Sequence, residues 1–200
     1  MSARRAVFLD KDGVLVADAD LPHLEGELLI FDYVPPALQR LRSTGFALVV
    51  VTNQTAVARG LMTEEQVEMT HRRLEDTLRA SGAEIDRVYF CPHHPHADVE
   101  AYRALCECRK PRPGMILKAA EDLDIDLASS YMVGDRVSDV VAGQKAGCRT
   151  ILVQTGKSNA PPIISPESIP ENVKPDHICS DLEQAVTFIL AESASRTEAA

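Results

Sequence analysis

Apolar positions in the first fifty residues gather into two unbroken runs, Ala6-Val7-Phe8-Leu9 and Phe46-Ala47-Leu48-Val49-Val50-Val51, each ending abruptly in polar residues. Runs without alternation read as strands covered on both faces, as in the middle of a parallel sheet. Similar runs predict strands from Arg87 to Phe90, from Tyr131 to Val133 and from Thr150 to Val153. Between them the period becomes helical. Pro35 opens a helix through Leu38 and Leu41 that Gly45 stops. Thr63 followed by Glu64, Glu65 and Gln66 predicts a capping box for a helix through Val67, Leu74 and Leu78 to Gly82. Pro113 begins a helix through Ile116, Leu117 and Ala120, and another runs from about Val137 to Ala146, stopped by Gly147. Thr155 to Pro175, rich in Pro, Ser and Asn, reads as a long excursion before His177-Ile178-Cys179 and a last helix from Asp181 to Leu190.

Strands alternating with helices predict an α/β fold, a doubly wound parallel sheet whose right-handed crossovers place every strand-to-helix loop on one rim. A hydrophobic content of 45% is enough for one core, so a single domain over residues 1–192 is expected, with 193–200 as a disordered tail. The rim then collects Asp10, Asp12, Thr52, Asn53 and Asp135. One Asp at a strand tip is ordinarily a helix cap, but several at one edge are a ligand site. Asp10-Lys11-Asp12-Gly13 is the densest part of that rim, with Gly13 turning the chain. Two carboxylates so close repel unless a cation lies between them, and magnesium is the expected ion.

Charge narrows the partners. A net charge of −9 argues against a general nucleic-acid binder. No apolar run approaches the ~18 residues of a membrane span, and the N-terminal residues lack a signal-peptide core, so the cytoplasm is the expected location. No coiled-coil seam is visible, and a monomer is expected. The five cysteines then point away from a disulfide framework and toward metal. Cys91-Pro92-His93 and Cys106-Glu107-Cys108 supply three thiols and an imidazole, a set that zinc accepts as a closed structural site. By spacing alone, His94 and His96 compete with His93.

The four short motifs Asp10-Lys11-Asp12-Gly13, Thr52, Lys110, and Gly134-Asp135 with Asp139 resemble those of the haloacid dehalogenase-like (HAD) phosphatase superfamily, in the same order. The resemblance implies a Rossmann-like HAD fold, here with no large cap domain inserted. It further implies that Asp10 attacks phosphorus, that Asp12 protonates the leaving oxygen and later deprotonates water, and that Lys110 offsets the phosphate charge. Magnesium would be held by Asp10, Asp135 and the carbonyl of Asp12. Thr52 and the Asn53 backbone or side chain would hydrogen-bond the phosphoryl oxygens.

A narrower resemblance follows from the loop at 91–110. Cys91-Pro92-His93-His94-Pro95 and Cys106-Glu107-Cys108-Arg109-Lys110-Pro111, with Thr52-Asn53-Gln54, Ala58-Arg59-Gly60 and Thr155-Gly156-Lys157, resemble the D-glycero-D-manno-heptose 1,7-bisphosphate 7-phosphatases. That family implies zinc on Cys91, His93, Cys106 and Cys108. It also implies substrate contacts from Asp18, Leu21, Thr52, Asn53, Gln54, Thr55, Arg109, Lys110 and Arg136, and a small phosphorylated sugar as partner. Asp18-Ala19-Asp20-Leu21 and Thr55-Ala56-Val57 differ from the family's more usual stretches. Histidinol-phosphate phosphatases, which carry a related and typically shorter zinc loop, are the nearest alternative, followed by another small phosphate-ester phosphatase. A catalytically silent phosphate-binding protein is the alternative of another class.

Overall fold

The computed structural model describes residues 4–17, 28–156 and 172–198. Its centre is a six-stranded parallel sheet in the order β3-β2-β1-β4-β5-β6. The strands are β1 (Ala6–Leu9), β2 (Ala47–Asn53), β3 (Arg87–Cys91), β4 (Tyr131–Gly134), β5 (Arg149–Val153) and β6 (His177–Cys179). Successive strand residues feed two separate cores. Val7, Leu9, Leu48, Val50, Tyr131 and Val133 join one core, while Ala6, Phe8, Ala47, Val49, Val51 and Met132 join the other. This division explains why the strand runs are apolar throughout: both faces are covered, and each buried Val, Leu or Phe contributes roughly 1.5–3 kcal/mol.

The first core also takes α1 (Val34–Ser43), α3 (Glu64–Ala80) and α6 (Leu182–Glu198), through residues such as Leu38, Leu74 and Val186. The second takes α4 (Gly114–Leu123) and α5 (Val137–Ala146), through Ile116 and Ala142. The capping box forms as the sequence predicts. Gln66 N donates to Thr63 Oγ1 at 3.2 Å, and Thr63 N donates to Gln66 Oε1 at 2.8 Å. A single-turn helix, α2 (Thr55–Ala58), follows β2 and is an addition to the expected elements. The core helix α5 ends at Gly147, as predicted.

The C-terminal expectation needs correction. Helix α6 does not stop at Leu190 but runs to Glu198, across most of the stretch expected as a tail. Polar contacts hold the extension. Tyr131 Oη donates to Glu192 Oε2 at 3.0 Å, Arg149 pairs with Glu192, and Arg5 Nη1 donates to Ser193 Oγ at 2.5 Å. Among the described residues no helix is long and apolar enough to cross a membrane. The excursion expected at 155–175 lies mostly outside the described residues.

The strand order reverses direction between β1 and β4, where the chain winds away on both sides. In open α/β sheets the crevice beyond the carboxyl ends of such strands receives ligands. Asp10 and Asp135 follow those two strands directly, and Asp10 N donates to Val133 O at 3.0 Å.

Candidate active site

Lys110 is the hub of the rim. Its Nζ lies 2.9 Å from Asp10 Oδ1 and 2.7 Å from Asp139 Oδ1, and donates to Val51 O at 2.8 Å. Burial alone would push this ammonium down, but Asp10 and Asp139 outweigh it and hold it above the usual lysine range. Burial pushes the Asp139 carboxyl up, with Lys110 opposing. Asp139 is placed by the first turn of α5: its Oδ2 accepts from Arg136 N at 2.9 Å, capping the helix start. A Cβ on Gly134 would collide with that carboxylate, so only glycine fits beside it.

The Asn53 side chain fixes the lysine's own backbone. Asn53 Nδ2 donates to Lys110 O and Lys110 N donates to Asn53 Oδ1, both at 3.1 Å. With its side chain engaged on the Lys110 backbone, the Asn53 backbone is the better placed of the two expected donors to a phosphoryl oxygen. Thr52 Oγ1 and Asp12 Oδ2 both accept from Gln54 Nε2, at 3.0 and 3.3 Å. Arg109 bridges the rim to the loop, donating from Nη2 to Thr55 Oγ1 at 3.1 Å and from Nη1 to His93 O at 2.8 Å. Arg136 is the residue before α5, half-buried at the same rim. Asp18 and Leu21 lie outside the described residues.

Asp10, Asp135 and Asp139 bring carboxylate oxygens within 4.8 Å of one another, and all three residues are buried. Three carboxylates against the single ammonium of Lys110 leave a surplus of negative charge, which a hard divalent cation with oxygen ligands matches. The residues thus fit magnesium. The Asp12 side chain stands apart from this carboxylate cluster, engaged instead by Lys11 and Gln54. Asp139 was visible as part of a motif but not as a site residue; its position at N3 of α5 was the signal. Gly13, at φ +86°, turns the chain so closely over the cluster that a Cβ there would lie 2.7 Å from Asp135 Oδ2.

The second cluster lies immediately before Lys110 in the chain. Cys91, His93, Cys106 and Cys108 place their donor atoms within 4.8 Å of one another. The Sγ atoms stand 3.1 to 3.4 Å apart, and His93 Nδ1 lies 3.6 Å from Cys108 Sγ and 3.8 Å from Cys91 Sγ. His94 takes no part: it is buried with its Nδ1 accepting from His96 N at 3.0 Å. Hydrogen bonding from Cys91, helped by Cys106 and His93, pushes the Cys108 thiol down to about 5. Cys91 is pushed up, first by its bond to Cys108 and then by burial; Cys106 is pushed up chiefly by burial. One thiolate is favoured and further ones are opposed unless a cation joins them, so the donor set fits zinc.

Comparison with known proteins agrees with this layout. A hydrolase-like family described as HAD-hydrolase-like matches residues 107–185. D-glycero-β-D-manno-heptose-1,7-bisphosphate 7-phosphatase of Escherichia coli (strain K12) is 45% identical over 157 residues, covering 78% of this chain and 82% of the relative. The enzyme of that name from Yersinia pestis is 45% identical over 153 residues, covering 76% and 81%. The crystal structure of D,D-heptose 1,7-bisphosphate phosphatase from B. bronchiseptica, complexed with magnesium and phosphate, superposes with a TM-score of 0.76 at 31% identity, covering 94% of this chain and 99% of that one. With the switch-point carboxylates, the buried lysine and a Cys₃His loop all in place, the chain belongs to the HAD-like D-glycero-β-D-manno-heptose-1,7-bisphosphate 7-phosphatase family.

Proposed function

We propose that this chain is a magnesium-dependent phosphatase that removes the 7-phosphate of D-glycero-β-D-manno-heptose 1,7-bisphosphate. The observation that carries the chemistry is the buried Lys110 ammonium 2.9 Å from Asp10 at the switch point, with Asp12 held two residues away. Family membership supplies the substrate class.

Lys110 holds Asp10 through Oδ1, so Oδ2 is the oxygen presented to phosphorus. That oxygen forms a bond to phosphorus as the ester P–O bond breaks, and the proton of Asp12 passes to the departing sugar oxygen. Water then attacks the aspartyl phosphate, its proton goes to Asp12, and the Asp10 O–P bond breaks to release phosphate. Magnesium, held by Asp10, Asp135 and the Asp12 carbonyl, would offset phosphoryl charge as an anion approaches an anion. Thr52 Oγ1 and the Asn53 backbone donate toward the equatorial phosphoryl oxygens, where charge spreads in the transition state. Arg109 and Arg136 offer guanidinium forks to the second phosphate. Cys91, His93, Cys106 and Cys108 would hold zinc, which would keep the loop in the shape that presents Arg109 and Lys110. The enzyme is read as a cytoplasmic monomer with an open site.

Phosphate release measured on heptose 1,7-bisphosphate, heptose 7-phosphate and histidinol phosphate, with and without magnesium, tests this reading. The bisphosphate should be preferred, magnesium required, and the heptose 1-phosphate left as product by ³¹P NMR. Faster turnover of histidinol phosphate would reassign the substrate.

A further inference from the structure

The motif residue between the two catalytic carboxylates has a place of its own in the site. The Lys11 side chain is only 7% exposed, and its Nζ lies 3.3 Å from Asp12 Oδ1. Gln54 Nε2 reaches the other oxygen, Oδ2, at 3.3 Å, and Gln54 is itself buried and braced on Thr52. Asp12 is therefore held on both oxygens, one by a cation and one by a neutral amide, although its own side chain is 35% exposed. The segment beneath is a closed turn, with the Lys11 carbonyl accepting from Leu15 N at 2.9 Å and Val16 N at 3.1 Å.

Close enough to feel the charge of Lys11 is His71 of α3, its ring edge-on to Phe90 of β3 at 5.4 Å. Burial first, and the charge of Lys11 second, hold this imidazole down to about 3. It is neutral at working pH and so does not repel the Lys11 ammonium.

We infer that Lys11 is a positioning residue for Asp12: it fixes the orientation of the proton-transferring carboxylate through Oδ1 while Gln54 fixes Oδ2. A half-exposed carboxylate would otherwise sample several rotamers, and proton transfer needs it aligned with the leaving oxygen and later with water. The inference rests on the aspartyl-phosphate reading above. It differs from a general structural role because it predicts a loss that scales with the need for proton transfer. An alkyl ester leaves as a strongly basic oxygen and requires the Asp12 proton; p-nitrophenolate leaves without it. Hydrolysis of the aspartyl phosphate needs Asp12 in both cases.

The test compares wild type, Lys11→Met and Lys11→Arg on heptose 1,7-bisphosphate and on p-nitrophenyl phosphate, by steady-state and rapid-quench kinetics. Lys11→Met should lower kcat on the sugar ester about 30-fold with KM within about twofold. On p-nitrophenyl phosphate it should release a burst of about one nitrophenolate per active site, followed by slow phosphate release. Lys11→Arg should recover kcat to within about threefold of wild type. Equal losses on the two esters in the first turnover, an unchanged kcat, or an effect on KM alone would overturn the inference. If Lys11→Met fails to fold, Lys11→Gln, which keeps a donor but no charge, should show the same ester dependence with a smaller loss, and its absence counts equally against the role. A wild type that forms no acid-stable phosphoenzyme would instead refute the aspartyl-phosphate reading, whatever the Lys11 variants do.

Discussion

The carboxylate rim and the sulfur loop are both clusters of anionic donors, joined by the consecutive residues Cys108, Arg109 and Lys110, yet they reach their geometry in different ways. The rim is built by the sheet. Leu9 is in register with Val133 and Val50, which fixes where Asp10 and Asp135 emerge, and Lys110 supplies an internal counter-charge. In the loop, Cys91 alone of the four donors sits in a strand ladder, opposite Asn53; Cys106 and Cys108 belong to a stretch without helical or strand period. The rim should keep its shape without a metal, whereas the loop should depend on one.

The largest expected effect confines itself to chemistry at the rim. Asp10→Asn changes little volume and leaves an oxygen for Lys110, but removes the nucleophile, so turnover should fall at least about 10⁴-fold. Melting temperature and zinc content, measured on the same sample, should stay near wild type; retained turnover would break the assignment. Cys106→Ser, or zinc removal by a chelator, should act in the opposite order, costing at least about 3 kcal/mol of stability, with activity lost as the loop releases Lys110. Full activity in zinc-free protein would abolish the contrast between the two regions.

Acid should separate them further. The His71 pKa is lowered on folding, so the unfolded chain binds the extra proton. The stability this neutral imidazole supplies is present above about pH 6.5 and is lost as the pH falls toward about 3. Between pH 7 and pH 5 that amounts to about 2 kcal/mol. His71→Leu should flatten this dependence in denaturant titrations and leave the pH of zinc release unmoved; an unaltered slope would show that this imidazole is not the source. Smallest of all, Thr63→Ala removes a helix cap remote from both clusters and should cost about 1 kcal/mol, with kcat and zinc content unchanged.

What could be read from the chain divides along similar lines. The first five strands, the Thr63 capping box, the turn at Gly13 and the end of α5 all depend on neighbours within a few residues, and local pattern was enough to predict them, whereas β6 was not read as a strand. The convergence of Asp10, Thr52 and Asp135 followed from the crossover rule. Other features depend on partners remote in sequence. The polar stretch from Glu192 onward is helical because Tyr131, Arg149 and Arg5 reach it from other elements. The Asn53 amide turns to the Lys110 backbone across fifty-seven positions. The choice among three histidines was open to spacing, and the turn that points His94 at His96 N is a matter of loop conformation.

The burial of Lys110 also shields its amine from reagents in solution. Donating to Val51 O, ion-paired with Asp10 and Asp139 and with only 2% of its side chain exposed, this amine is closed off from an acylating reagent. It should stay unmodified in the native enzyme while Lys118, 59% exposed, is labelled readily. Covalent tagging at position 110, followed by mass spectrometry, would therefore register the rare openings that release this lysine, whether of the loop or of the whole domain.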